Sequence, residues 1–386
     1  MTVSPERHKF LLLDVLRGLA AVLVVGRHIP DTLNKSLVPF GSYLCVDLFF
    51  CLSGFVIAYS YQDRLADRMD FSSFSLARLI RLYPLYFLGL LLGACFKLMG
   101  IVLTLSGRQE VYPGPGLLQH FISAFGMAVL FLPSFSTSRV AATPFSFNPP
   151  SWSLFYELVA NFVFAMLVRR RLASNASVVG LMTLCLGVLS VWSLIYATTL
   201  DNGVLPGTYS IGFARVGYSF FAGVLLFRIY RAGVRIEIKG LSLILTTLVL
   251  LTGTGILLAI RVPKSIDGIY GLAMIGIIIP TIVWVAACCN VGDRFRPTAA
   301  LMGEVSYPLY VIHMPLLFFV AAASKSRPGW ALSPYTALLL IPMLCLLSFW
   351  ISRNFDRPIR MALNRRLSQK RALTSPLPAV ADVSMS

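Results

Sequence analysis

Apolar residues run almost uninterrupted for about 20 positions at a time, without the period-two alternation of a half-buried strand, and runs of that length predict membrane-spanning helices. They cover residues 10–29, 41–61, 79–103, 152–168, 177–199, 209–230, 240–262, 269–289, 299–320 and 335–352. The expected fold is therefore an all-α polytopic membrane protein of about ten transmembrane helices. One more apolar piece, 117–133 ("LLQHFISAFGMAVLFLP"), is short and follows "YPGPG". It is expected to be re-entrant or interfacial, which is tolerated at membrane depth only where the segment is buried in protein or lines a cavity.

The polar residues between the runs set the expected orientation. Lys and Arg concentrate in cytoplasmic loops near the ends of spans. With the N-terminus inside and 117–133 not crossing, the segments holding Arg64, Arg68, Arg78 and Arg81, then Arg169-Arg170-Arg171, Arg228/Arg231/Arg235/Lys239, Arg294/Arg296 and the stretch from Arg353 to Arg371 all fall on one side. If 117–133 crossed, the arginine triplet would lie outside. Both termini are therefore expected in the cytoplasm, with the chain in the cytoplasmic (inner) membrane. Residues 1–355 form the expected transmembrane domain, and 356–386 a basic cytoplasmic tail, partly disordered because its last residues, "LTSPLPAVADVSMS", are small, polar and proline-containing.

Composition agrees with a membrane location: of 386 residues, 57% are hydrophobic and 13% charged, against roughly one quarter charged in soluble domains. The net charge of +17 is accounted for by topology, since the basic residues cluster between apolar runs, and no nucleic-acid partner is expected. The seven cysteines all lie in apolar segments without metal-ligand spacing, so neither disulfides nor a metal site is expected. Asp14 and Arg17 interrupt the first apolar run and no small-residue cleavage site follows His28, so that run reads as a retained span rather than a signal peptide. No extracytoplasmic hydrolase-like domain is expected after the bundle.

Candidate chemistry begins with "LDVLRGLAAVLVVGRH", residues 13–28. Ionisable groups at membrane depth are costly and usually mark a cavity or a site. On a helix, Arg17 and His28 are separated by ~16 Å of rise and about 20° of rotation, so both face the same way. Histidine titrates nearest neutrality and suits a general base. The spacing is equally met by an Asp14–Arg17 structural ion pair and an interfacial histidine. Arg27 reads as an interface anchor.

Five segments occur in an order and spacing that resembles the acyltransferase-3 family of integral membrane O-acyltransferases: "LDVLRGLAAVLVVGRH", "VDLFFCLSGFVIA" (46–58), "RLIRLYPLY" (78–86), "PPSWSLFYEL" (149–158) and "GEVSYPLYVIH" (303–313). The resemblance implies transfer of an acyl group, commonly acetyl from acetyl-CoA, to a hydroxyl of an extracytoplasmic carbohydrate such as exopolysaccharide, O-antigen or another glycan, free or lipid-linked. Acyl-CoA is then a co-substrate and no cofactor is implied. Membrane lipids and the carbohydrate acceptor complete the expected partners. The family's Arg-x10-His pattern maps onto Arg17 and His28, and its Arg-x-x-Arg pattern onto Arg78 and Arg81.

With that resemblance, Arg78 and Arg81, otherwise ordinary positive-inside anchors, become the expected coenzyme A phosphate grip, since guanidinium forks bind phosphate bidentately. Arg17 is expected to help hold the donor or to stabilise developing negative charge. Glu157 is expected either to pair with Arg215 or another buried base, or to orient His28 and stabilise its protonated form. Trp152, Ser153, Tyr310 and His313 are expected to line the acceptor pocket, though Ser306, Tyr310 and His313 equally suit an interhelical hydrogen-bond cluster. Pro308 predicts a broken span. Asp47 is expected to pair with an arginine in the bundle, and Ser53 and Gly54 to allow close helix packing. Direct transfer and an acyl-histidine route remain open. The rival function is a transporter or flippase of an envelope intermediate.

Overall fold

An apolar run in a bilayer satisfies its backbone only by closing every N–H onto its own carbonyls, and the long runs fold as helices. The computed structural model describes residues 10–29, 40–112, 114–135, 138–196, 199–205, 207–236, 238, 240–289, 291–326 and 334–374. The helices are α1 (Leu11–His28), α2 (Cys45–Asp67), α3 (Phe71–Leu105), α4 (Leu117–Val129), α5 (Ser151–Arg169), α6 (Asn175–Tyr196), α7 (Tyr209–Arg231), α8 (Gly240–Ala259), α9 (Lys264–Ala273), α10 (Ile279–Cys288), α11 (Arg296–Ser326), α12 (Pro334–Ile351) and α13 (Arg357–Thr374). A π-helical turn, Met274–Ile278, joins α9 to α10 as one crossing. Among the described residues, nine helical segments are long and apolar enough to span a membrane. Helix α1, which carries Asp14, Arg17 and Arg27, is not among them, and it packs lengthwise against α11.

Side-chain registers show how the helices run. Helices α1 and α11 are parallel, with Asp14 beside Gly303 and His28 beside His313. Helices α2 and α7 are also parallel, from Asp47–Arg215 to Asp63–Arg231. Their backbones touch: a Cβ added at Gly54 would lie 1.9 Å from the Phe220 carbonyl oxygen, so only glycine permits the approach. Helices α3 and α5 are antiparallel, with Arg78 against Glu157 and Gly89 against Asn148. Asp70 caps the start of α3, accepting from the Ser72 hydroxyl and, at 3.2 Å, from the Ser73 N–H. Those two bonds hold its carboxyl below the usual carboxylate range.

The antiparallel register of α3 and α5 means that the segment between them does not cross. Helix α4 starts where Leu117 packs on Ile101 and descends along α3 until the Tyr83 and Tyr86 hydroxyls donate to the Val129 and Ala128 carbonyls at 2.8 and 2.5 Å. The Val129 carbonyl has no helical donor, since position 133 is proline, while that of Ala128 also accepts from the Phe131 N–H at 2.8 Å. The chain then climbs past Lys97, which donates to the Val140 carbonyl at 2.6 Å, and enters α5. This is a re-entrant hairpin seated on one helix.

Helix α11 corrects the expectation of a broken span: it is continuous through Pro308 and Pro315. Proline at 315 cannot donate to the carbonyl four residues earlier, and Asn148 Nδ2 supplies that carbonyl, Val311, with a donor at 2.9 Å. Beyond α12 a π-helical turn, Ser352–Asp356, leads into α13 without a break, so the basic stretch after 356 is helical as far as Thr374. Residues 375–386 lie outside the described residues.

The most deeply buried charge pair sits at the start of α2, where Arg215 Nη2 lies 2.5 Å from Asp47 Oδ2 and both side chains are 0% exposed. Arg215 also donates to the Asn202 and Tyr43 carbonyls, at 3.0 Å each, which fastens the α6–α7 loop and the entry to α2 onto the bundle. Asp47→Ala leaves a buried guanidinium without its counter-charge and is expected to destabilise the protein by about 3–5 kcal/mol. The double replacement Asp47→Leu with Arg215→Met is expected to recover most of that loss; chemical unfolding in detergent micelles measures both.

Candidate active site

Five helices converge on a cavity of about 230 Å³. Arg17 of α1, Phe49 and Ser53 of α2, Arg78 and Arg81 of α3, Ser153 and Glu157 of α5, and Ser306, Tyr307 and Tyr310 of α11 line it. The three arginines stand towards the arginine-rich end of the bundle. Each is partly compensated: Arg17 Nη1 donates to Asp14 at 2.7 Å, Arg78 Nη2 to Glu157 at 3.3 Å, and Arg81 stacks 5.2 Å over the Tyr307 ring with Asp356 at 3.7 Å. Arg78 Nε is buried without a hydrogen-bond partner among the described residues. A buried donor left open in this way favours an acceptor atom brought by a ligand.

The inner end of the cavity is formed by hydroxyls. Ser153 Oγ and Tyr310 Oη lie 2.6 Å apart and both approach the Pro150 carbonyl, at 3.0 and 3.3 Å. The Phe49 ring packs edge-on against Tyr310 at 5.3 Å. One helical turn further along α11 stands His313, its ring 6.0 Å from that of Tyr310, and His313 meets His28. Neither imidazole lines the cavity.

Hydrogen bonds assign the tautomers of the pair. His313 Nδ1 lies 3.1 Å from the Leu309 carbonyl, an acceptor only, so this nitrogen carries the proton and Nε2 holds the lone pair. His28 Nδ1 lies 2.8 Å from the Val24 carbonyl and 3.3 Å from His313 Nε2. Both partners accept, so His28 is protonated on Nδ1 and its Nε2 is the basic nitrogen. That assignment gives a neutral imidazole with one oriented lone pair, as a general base requires. Beside it Arg27 is held by Asp201 and, at 3.0 Å, by the Phe40 carbonyl.

The structure gathers most of the residues expected from sequence and redistributes their partners. Glu157 does not orient His28: its carboxylate is taken by the Ser53 hydroxyl at 2.6 Å and by Arg78, and Arg215 pairs with Asp47 instead. His313 holds the orienting position. Arg17 stands with Arg78 and Arg81, ~16 Å of helical rise from His28, too far to stabilise charge at the same carbonyl. Trp152 does not line the cavity but is buried against Tyr156 at 5.7 Å and under the Arg215 guanidinium at 5.5 Å. Ser53, expected only to assist packing, lines the cavity through the glutamate it binds. Tyr307 and Asp356 were not singled out; their i−1 and π-turn positions give no sequence signal.

Residues 10–353 match the family described as Acyltransferase domain, acyltransferase-3. The chain belongs to the acyltransferase-3 family. It is similar to Protein 2 in picA locus of Rhizobium radiobacter, with 41% identity over 170 residues that cover 43% of this chain and 85% of that protein. No solved structure matches it. In this membrane acyltransferase the matched region ends within the π-helical turn after α12, and α13 lies outside it.

The hydroxyl pair as the floor of the cavity has a direct consequence. In a variant whose native cysteines are replaced, Ser53→Cys and Ser306→Cys are expected to react with a hydrophilic thiol reagent in the substrate-free protein. His313→Cys is expected to stay unlabelled, and rates of labelling followed by mass spectrometry check the contrast.

Proposed function

We propose that this acyltransferase moves an acyl group, acetyl in the simplest case, from acyl-CoA to a hydroxyl of an extracytoplasmic carbohydrate. One observation carries the reading: His28, on the same face of α1 as Arg17, is fixed as an Nδ1–H imidazole one helical turn beyond the floor of an arginine-lined cavity. The arginine-rich end is the cytoplasmic one by the positive-inside rule, which places the donor entrance inside and the imidazole pair towards the opposite face of an inner membrane. The donor's arm enters the cavity between Arg17, Arg78 and Arg81, and its thioester displaces the Ser153–Tyr310 contact to reach His28.

In the reaction His28 Nε2 takes the proton of the acceptor hydroxyl as its oxygen attacks the thioester carbonyl carbon. The C–S bond then breaks, the new C–O bond remains, and the departing thiolate takes the proton from the imidazolium to leave free coenzyme A thiol. While His28 is doubly protonated, its Nδ1–H stays shared between the Val24 carbonyl and the His313 lone pair. A neutral acceptor in that place spreads the new charge without burying a carboxylate, whose desolvation would be costly here. The freed hydroxyls of Ser153 and Tyr310 are then available to donate to the developing oxyanion. A carrier function, which the span count alone also allows, has no comparable geometric support.

His28→Ala is expected to lower kcat by ~10²–10⁴-fold while the protein still inserts and folds. Purified protein incubated with radiolabelled acetyl-CoA and candidate glycans measures this directly. Label transferred to sugar by wild type and not by the variant supports the assignment, and an unimpaired variant removes it.

A further inference from the structure

Beside the donor cavity lies a second, open recess that could hold the phosphates of coenzyme A, and four of its six lining residues lie outside the family's matched region. It measures about 360 Å³ and is lined by Glu304, Ser352, Arg357, Arg360, Met361 and Asn364. Four of these, Arg357, Arg360, Met361 and Asn364, follow the i, i+3, i+4, i+7 spacing of a single helical face, so α13 presents one stripe to the chamber. The chamber adjoins the donor cavity through Asp356, whose Oδ2 is 2.8 Å from Arg360 and 3.7 Å from the cavity-lining Arg81.

Charge and length both favour an anionic ligand there. Around the chamber stand the cations Arg81, Arg353, Arg357 and Arg360 and the anions Glu304 and Asp356, two positive charges in excess. Glu304 is already engaged by Ser352 at 3.2 Å and Arg353 at 3.6 Å, and Arg360 Nε is buried without a hydrogen-bond partner among the described residues. From Glu304 to His313 is nine residues of one helix, a rise of ~13.5 Å. The pantetheine arm between diphosphate and sulfur has roughly four residues' worth of extended chain, ~14 Å. Phosphates at the level of Arg81 and Tyr307 would leave only ~9 Å to His313, too short for an extended arm. Arg78 Nη2 there is also paired with Glu157 at 3.3 Å.

We propose that the α13 stripe, through Arg357 and Arg360, holds the phosphates of the nucleotide half of the acyl donor, with Arg81 and Arg78 flanking the arm beyond it. This rests on the acyl-CoA reading above. The test compares two donors with the full-length protein in detergent or nanodiscs: acetyl-CoA, and acetylpantetheine, which has the arm and thioester but no phosphates. For Arg357→Gln with Arg360→Gln, the ratio of kcat/KM for acetyl-CoA to that for acetylpantetheine is expected to fall at least roughly tenfold, the scale of losing a charge-assisted phosphate contact. Arg357→Lys with Arg360→Lys, which keeps the charge, is expected to restore much of the ratio. An unchanged ratio in the glutamine variant overturns the proposal. A wild-type protein that transfers acetyl from neither donor instead overturns the donor reading itself, and that outcome is visible before any variant is made.

Discussion

Within the apolar thickness of a bilayer an unmatched polar group costs several kcal/mol, and the unusual features of this bundle are responses to that constraint. Charges enter it as partners: Asp47 with Arg215, Asp14 with Arg17, Glu157 with Arg78. Backbone carbonyls that lose a helical donor receive one from a side chain. Tyr83 serves the last carbonyl of α4, and Asn148 serves the carbonyl orphaned by Pro315. Among the groups left unmatched within the described residues are the buried Nε atoms of Arg78 in the cavity wall and of Arg360 on α13.

In the proposed mechanism the same constraint favours two imidazoles over an imidazole and a carboxylate. An orienting group has to accept from Nδ1–H, and a buried carboxylate does this strongly but needs a cation of its own. His313 accepts as a neutral group because its other nitrogen is tied to the Leu309 carbonyl. The glutamate that sequence offered for the role is occupied elsewhere, balancing an arginine in the cavity wall.

Much of the fold was legible because length and hydropathy determine a membrane helix with little help from tertiary contacts. The nine candidate spans among the described residues, the short 117–133 helix and the Asp14–Arg17 and Asp47–arginine pairs follow from spacing and charge placement. The shared face of Arg17 and His28 follows from helical geometry alone. Partner choice was less legible. Whether Glu157 meets Arg78, Arg215 or His28 depends on how far α5 is raised relative to α2 and α3, and that height is set where the Phe147 carbonyl approaches Gly93 and the Asn148 side chain approaches Gly89, glycines whose partners the sequence does not name. The break expected at Pro308 did not occur, and at the second proline of α11 the support comes from a neighbouring segment, through Asn148, which the helix's own sequence does not record.

The parallel pairing of α1 and α11 has a mechanical implication. Each helix contributes one imidazole to a contact 3.3 Å long, while the rise of a single residue is about 1.5 Å. Sliding one helix past the other by one residue would part the rings and return Nδ1 of His28 to the Val24 carbonyl alone. In the proposed mechanism catalytic competence is thus indexed to the axial registry of two adjacent rods, and bilayer thickness, which acts on helix tilt and height, becomes a variable to which the chemistry is sensitive on the scale of one residue's rise.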